Sequence, residues 1–242
     1  MKQSTRLLLP FFAVIFFVGD ALGQEVAVEA PDAAALLQEM AKTYAAADSY
    51  SDVSSAVYHN RDGSERLSVT FRIWFVRPSS FRVDAESKSP NSTTARREVL
   101  WTDGTTIRRW ATDKPVSTVA KMQLAGSGMF GTYAYHIPTL LKESYGARRR
   151  LQELTGPKLV GVEELEGVAC YQMSGDWSGD SYRVWIGRED HLVHKIMATY
   201  SDHDLEETHR EIVLGQPIDP EIFRFAPEEE GVQKKAKKES RK

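Results

Sequence analysis

The stretch Arg66–Phe75, RLSVTFRIWF, decides the fold that this sequence predicts. Its apolar side chains recur at every second position, a period that places them on one face of a β-strand. They are Leu67, Val69, Phe71, Ile73 and Phe75. The stretch therefore predicts a long strand with one buried face, and the turn residues 60–63 before it predict a hairpin.

Eight further stretches have the composition of strands, and short turns separate many of them. They cover residues 81–85, 98–102, 105–111, 159–163, 168–174, 182–187, 192–200 and 206–214. Turns as short as Thr102–Gly104 favour antiparallel neighbours, because a parallel pair needs a long crossover between its strands. We therefore expect an antiparallel meander.

An amphipathic helix precedes these strands. Asp32 fits an N-cap, and the apolar residues between Leu36 and Ala47 follow one stripe of a helix. Residues 117–154 interrupt the strand pattern and predict a helical insertion. Within it, Ser117 fits the cap of a short helix that ends at Leu124.

A second helix is predicted in the insertion. Thr132 fits its cap, its apolar residues include Leu140 and Leu141, and Pro138 lies inside it at a position that could kink it. The fold class is therefore α+β and mostly β. An N-terminal helix and a helical insertion cover one apolar face of an antiparallel sheet.

Composition and charge restrict the function. The 242 residues are 41% hydrophobic, which suffices for a core, and the net charge of -3 argues against a nucleic-acid partner. Cys170 is the one cysteine, which excludes an intramolecular disulfide and a zinc site with several cysteine ligands. It also lies far from the N-terminus, where a bacterial lipoprotein would need it.

Both ends differ from the body of the chain. Lys2 and Arg6 precede the apolar residues 7–18, and small residues follow at 21–23, so residues 1–23 predict a signal peptide. We expect a soluble protein that is exported to the periplasm or secreted. Residues 24–227 are expected to form a single domain, and the charged residues 228–242 a disordered tail.

Three motifs occur in a characteristic order after the leader and the first helix. They are residues 74–81 (WFVRPSSF), 100–107 (LWTDGTTI) and 218–227 (IDPEIFRFAP). In this order they resemble the periplasmic outer-membrane lipoprotein carrier LolA and its superfamily of exported lipid-binding domains. The likeness spans roughly residues 32–228, and residues 117–155 match poorly. It implies an open, curved half-barrel whose concave face is covered by helices over a cavity for acyl chains.

The resemblance also implies roles for single residues. It implies that Arg77, at the Arg-Pro corner, hydrogen-bonds to lid helices, and that Phe81 takes part in lipoprotein handling. In the alternative interpretation Arg77 only ties a turn and Phe81 only fills the core. The side chains expected to line the acyl cavity and its lid are Leu67, Val69, Phe71, Ile73, Phe75, Arg77, Phe81, Leu140 and Leu141. Such apolar faces are also ordinary cores.

Sites for catalysis or metal binding are weakly indicated. His191, His194, His203 and His209 lie close together in sequence, but residues three apart on a strand point to opposite faces. The segment Gly175–Asp180 lacks the spacing of a nucleophile elbow and predicts a hairpin turn. We therefore expect no catalytic residue, no metal and no cofactor.

Three hypotheses follow for the function. The first is a non-catalytic protein that shields acyl chains of a lipid or lipoprotein, with transient membrane contact and, in one version, delivery to the outer membrane. The second is an envelope sensory or scaffold module of the same fold, with protein partners. The third is a secreted hydrolase that uses Ser178. A monomer is expected in each case.

Overall fold

The computed structural model describes residues 31–112, 114–122, 135–145 and 151–227. The predicted signal peptide, the charged tail and parts of the insertion lie outside these residues, so the domain boundaries stay predictions. Within the described ranges, no helix combines the length and the apolar character needed to cross a membrane.

In the part of the chain that the structure describes, eleven strands form one curved antiparallel sheet that is not closed into a barrel. In chain order they are β1 (Ser49–Asn60), β2 (Glu65–Val76), β3 (Ser80–Lys88), β4 (Arg96–Asp103), β5 (Ile107–Ala111), β6 (Lys114–Val119), β7 (Thr155–Leu165), β8 (Val168–Trp177), β9 (Asp180–Gly187), β10 (Val193–Thr199) and β11 (His203–Leu214). Across the sheet the order is β6-β5-β4-β3-β2-β1-β11-β10-β9-β8-β7. Two meanders are thus joined by the pairing of β1 with β11, and the predicted fold class is confirmed.

Two helices cover one face of this sheet, which we call the inner face. Helix α1 (Ala33–Ala46) begins where the Asp32 carboxylate accepts a hydrogen bond from the Ala35 backbone N–H at 2.8 Å, as predicted for an N-cap. Helix α2 (His136–Leu141) is buried along its whole length. Pro138 lies in its first turn, where a missing N–H costs no helical hydrogen bond.

The core lies between the inner face and these helices. The side chains of β2 alternate as predicted, and Phe71, Ile73 and Phe75 are buried against the helical layer. Helix α1 contributes Leu37, Met40 and Tyr44, while α2 contributes its leucines. One continuous cluster therefore joins both meanders and the helices.

Two strands differ from the sequence-based prediction. The predicted helix from Ser117 is wrong at its start, because Ser117 and Thr118 pair with Arg109 and Arg108 in the β5–β6 ladder. The β-branched residues at 116, 118 and 119 favour this extended conformation. Residues 123–134, including Leu124 and Thr132, lie outside the described residues. Strand β1 was not predicted, and it lies at the centre of the sheet.

The C-terminal motif packs on the opposite, outer face. The Phe225 ring lies 5.0 Å from the Trp101 ring and 5.6 Å from the Trp110 ring, measured between centroids. The Arg82 guanidinium stacks 4.8 Å above Phe225 and donates a hydrogen bond to the Ile222 carbonyl at 2.9 Å. The segment after β11 is therefore fastened across β3 and β4.

Replacing Phe225 by alanine should lower the free energy of unfolding by about 3 kcal/mol, because a buried aromatic ring is lost between two tryptophans. Urea unfolding followed by tryptophan fluorescence measures this change. The control Arg224→Ala removes an exposed neighbour and should change stability by less than about 0.5 kcal/mol. Equal effects of the two substitutions would contradict this packing.

Candidate functional site

The residues predicted to line an acyl cavity lie together in the structure. All the apolar ones belong to the core cluster on the inner face, where Leu67 is partly buried and the others are buried: Val69, Phe71, Ile73, Phe75, Phe81, Leu140 and Leu141. Tyr145 adds an aromatic contact, with its ring 5.0 Å from Phe81 and 6.1 Å from Phe75. Their assignment as a ligand wall stays a prediction, since the same contacts also form a core.

Arg77 lies at the corner between β2 and β3 and bonds to both helices. Its Nε donates to the Ala47 carbonyl at 2.8 Å, and its Nη2 donates to the carbonyls of Tyr44 at 3.3 Å and of Ala45. The same Nη2 reaches the Leu141 carbonyl of α2 at 3.2 Å. One half-buried guanidinium thus binds the C-terminal ends of α1 and α2.

Two neighbouring side chains strengthen this corner. Lys142 Nζ donates to the Pro78 carbonyl at 2.9 Å, and the Tyr145 hydroxyl donates to the Ser79 carbonyl at 3.1 Å. Burial raises the pKa of the Tyr145 hydroxyl well above its ordinary value, so the hydroxyl stays a donor at neutral pH. The segment after α2 is therefore tied to the β2–β3 corner by backbone acceptors.

A buried polar row crosses the inner face. Asp52 Oδ2 accepts hydrogen bonds from the Tyr50 hydroxyl at 2.8 Å and from the Ser54 hydroxyl at 2.6 Å. His209 Nδ1 lies 2.8 Å from the same carboxylate oxygen and 2.8 Å from Ser54 Oγ. Asp52 Oδ1 accepts from the Ile73 backbone N–H at 3.2 Å. The Asp52 carboxylate is therefore satisfied on both oxygens.

The row continues from β11 to the helical cover. His209 Nε2 lies 3.0 Å from Glu207 Oε1, and His136 Nδ1 of α2 lies 2.8 Å from Glu207 Oε2. Carboxylates and imidazoles thus alternate from Asp52 to His136, and all four side chains are buried. This buried row connects the sheet with the first residue of α2.

The electrostatics of the row favour ionised partners. Burial alone would lower the pKa of His209, but hydrogen bonds to Asp52 and Glu207 outweigh it and raise that pKa to about 9. Burial alone would raise the pKa of Glu207, but the imidazoles of His136 and His209 outweigh it and hold that pKa below its ordinary value. At neutral pH an imidazolium therefore faces the Glu207 carboxylate.

The row contains serine, histidine and aspartate without the geometry of a hydrolytic triad. In a triad the serine and the acid occupy opposite ring nitrogens of the histidine. Here Ser54 and Asp52 both face Nδ1 of His209, and Nε2 faces Glu207. This arrangement orients and neutralises buried charges, and the Ser54 hydroxyl donates to the Asp52 carboxylate at 2.6 Å.

The other predicted chemical groups are separated by the fold. His194 pairs with Asp190 at 3.0 Å, and His203 pairs with Asp202 at 2.7 Å. The two histidines therefore have different acidic partners. Among the described residues, no group of three or more histidine, cysteine or acidic side chains could hold a metal ion. Ser178 lies in the tight turn between β8 and β9 with φ +53°, so the predicted hairpin is confirmed.

The single cysteine is buried in β8. Burial raises the pKa of the Cys170 thiol to about 11, with further contributions from Asp190 and Glu163. The thiol is therefore protonated at neutral pH. A buried, protonated thiol is a weak nucleophile.

The stability of the protein should depend on the protonation of His209. A pKa raised from 6.5 to about 9 stabilises the fold fully below pH 6.5, and this contribution is lost as the pH rises through 9. We expect the free energy of unfolding to fall by about 3 kcal/mol between about pH 6.5 and 9.5. Urea titrations across this range measure the slope.

Two variants separate His209 from other titrating groups. His209→Gln should be less stable at pH 7 and should lose most of this slope, whereas His194→Gln in the β9–β10 region should keep it. Measurements stop below pH 10 because burial raises the pKa of Tyr50, whose ionisation also destabilises the fold at higher pH. An unchanged slope in His209→Gln would refute the assignment.

Comparisons with known proteins relate part of the chain to a family and the whole fold to solved structures. Residues 138–233 match a family described as predicted periplasmic protein (DUF2092), which agrees with the predicted export to the periplasm. No curated protein matches the sequence.

LprF from Mycobacterium bovis is 12% identical, with a TM-score of 0.52 over 78% of this chain and 96% of that chain. The lipoprotein LppX from Mycobacterium tuberculosis is 11% identical, with a TM-score of 0.47 over 77% and 96%. A LolA superfamily protein from Nitrosomonas europaea is 10% identical, with a TM-score of 0.39 over 80% and 98%. This chain shares its fold with LprF.

Proposed function

We propose that this protein binds the acyl chains of a lipid or lipoprotein in the periplasm, between the inner face of the sheet and the helices α1 and α2, without catalysing a reaction. The observation that carries the proposal is an extended apolar inner face whose two covering helices are joined at one corner by hydrogen bonds of one side chain, Arg77. The periplasmic description of the family that matches residues 138–233 supports the location.

The inner face has the chemistry that acyl chains require. Burial of each methylene contributes about 0.8 kcal/mol, so about ten methylenes contribute about 8 kcal/mol before the costs of binding. The side chains of β2 and β3 provide the apolar contacts, and no reactive group is needed. Because these side chains contact the helices in the closed structure, an acyl chain gains access when α1 or α2 moves away.

Arg77 is suited to control that movement. The bonds it donates to Ala47 and Leu141 end on backbone carbonyls at helix termini, which water satisfies equally well when the helices move. Each such bond contributes only about 1 kcal/mol net. The ends of α1 and α2 at this corner are thus held by hydrogen bonds that water can replace, while the strand ladder remains intact.

Protein purified from its own envelope should carry a bound acyl lipid. Native mass spectrometry should show a mass above that of the processed chain, and dissociation in the gas phase should release the lipid for identification. A protein that is repeatedly purified empty and that also binds no acyl probe when one is added would contradict lipid binding. That result would favour an envelope sensory or scaffold module.

The variant Arg77→Leu should release an acyl probe faster than the wild type, because the ends of α1 and α2 lose their common donor. The rate is measured by the fluorescence of cis-parinaric acid after dilution, and we expect an increase of about tenfold. Arg72→Leu, which removes an exposed arginine from the outer face of the same strand, is the matched control. Circular dichroism verifies that both variants fold.

If Arg77 ties only the turn, Arg77→Leu should lower the melting temperature without changing probe release. The conservative variant Arg77→Lys distinguishes charge from geometry. A lysine has a single ammonium group and cannot reach both helices as the guanidinium fork does, so it should restore stability more than probe retention.

A further inference from the structure

The apolar part of the inner face ends at charged side chains on its β4–β6 side. Rows of side chains cross the strands on this face, because residues opposite each other in antiparallel neighbours point the same way. One row of four side chains crosses β2, β3, β4 and β5. It consists of Ile73, Val83, Leu100 and Arg109. The first three belong to the apolar core and Arg109 is partly buried, so the apolar wall leads directly to a cation.

The neighbouring row contains a buried acid. It consists of Phe71, Ala85, Glu98 and Ala111. Glu98 is 1% exposed, and it has an alanine opposite it on each neighbouring strand. In the part of the chain that the structure describes, neither oxygen of its carboxylate accepts a hydrogen bond. Because a buried carboxylate is costly without compensation, the charges around it decide what this end of the face can bind.

Three cations surround Glu98. Arg96 lies two residues before it on the same face of β4, with Nη2 3.1 Å from Glu98 Oε1. Arg109 lies diagonally across on β5, and after a bulge in the ladder Lys114 of β6 lies opposite Ala111. Burial raises the pKa of Glu98 above its ordinary value, although all three cations act to lower it. This acid therefore loses its charge to a proton, and with it the repulsion of an anion, more readily than an exposed one.

Two of these cations keep their charge for a ligand. Among the described residues Arg109 and Lys114 form no ion pair, whereas Arg96 shares its guanidinium with Glu98. Arg108 differs from its neighbour, because it points to the outer face and lies 3.9 Å from Asp103. The β4–β6 end of the inner face therefore carries an excess of positive charge beside an apolar wall.

We propose that the inner face selects an anionic lipid, whose phosphoryl headgroup binds Arg96, Arg109 and Lys114 while its acyl chains lie along the apolar rows. This inference rests on the proposed lipid binding and specifies its ligand. Neighbouring strands lie about 4.8 Å apart, so Arg109 lies roughly 14 Å across the sheet from Ile73, and one amphiphile can contact both. Guanidinium groups bind phosphoryl oxygens in a bidentate manner, and the ammonium group adds a point charge.

Lipid selection from mixed vesicles tests this site. The protein is stripped of lipid and incubated with vesicles that contain equal amounts of dioleoylphosphatidylglycerol and dioleoylphosphatidylcholine, and the lipids bound after re-isolation are quantified by mass spectrometry. The acyl chains are identical, so only the headgroups differ. The wild type should enrich the anionic phosphatidylglycerol about tenfold.

Variants assign the enrichment to the inner face. Arg109→Gln and Lys114→Gln should each remove most of it, because each deletes a charge that has no other partner among the described residues. Arg108→Gln deletes the same charge from the adjacent position on the outer face, and it should keep the enrichment. Circular dichroism verifies that the variants fold.

The outcomes separate the headgroup site from acyl binding. Equal uptake of both lipids by the wild type overturns the headgroup site and leaves acyl binding standing, whereas uptake of neither lipid overturns both. An enrichment that Arg108→Gln reduces as much as Arg109→Gln reflects the charge of the whole protein and also overturns the site. Inorganic phosphate that binds the wild type but not Arg109→Gln, without lipid enrichment, identifies a free anion as the ligand and overturns the lipid assignment.

Discussion

The guanidinium group of Arg77 holds the cover of the inner face together. The last carbonyls of a helix have no partner within the helix and carry partial negative charge. Arg77 donates to such carbonyls at the ends of both α1 and α2, from a corner of the sheet that is fixed by the β2–β3 ladder. Two short helices that are far apart in sequence are therefore placed over the same apolar surface by one side chain.

The buried row from Asp52 to His136 fixes the other end of α2. Four ionisable side chains beneath a helix are costly to desolvate, so the paired row contributes little net stability relative to apolar residues of the same size, although breaking one pair is costly. Their contribution here is positional, because the Glu207 carboxylate accepts a hydrogen bond from His136 and so defines where α2 begins on the sheet. Helix α2 is thus held by a buried hydrogen bond at its first residue and by an exchangeable hydrogen bond at Leu141.

The sequence predicted those parts of the fold whose inner positions are apolar. Strand β2 was recognised because Phe71, Ile73 and Phe75 recur with a period of two. Strand β1 was missed because its inner positions include Asp52 and Ser54, which belong to the polar row and not to an apolar stripe.

The site was predictable only where a motif marks it. Arg77 was found through the Arg-Pro corner, whereas the row depends on the register that places Ser54 opposite His209 and Ala56 opposite Glu207. That register joins residues about 150 positions apart, and no local spacing indicates it. The available signal was an acidic residue and a histidine two positions apart in β11, Glu207 and His209. It remained ambiguous because His194 and His203, which lie in strands of the same region, pair with acidic residues outside the row.

An open sheet separates the stability of the scaffold from the position of its cover. The strand ladder and the outer-face contacts of Phe225 with Trp101 and Trp110 do not involve α1 or α2. A movement of α2 would break its bond to Arg77 and the contact of His136 with Glu207, but it would break no hydrogen bond between strands. A sheet that stays folded while its cover moves meets the physical condition for taking up and releasing a ligand as long as an acyl chain.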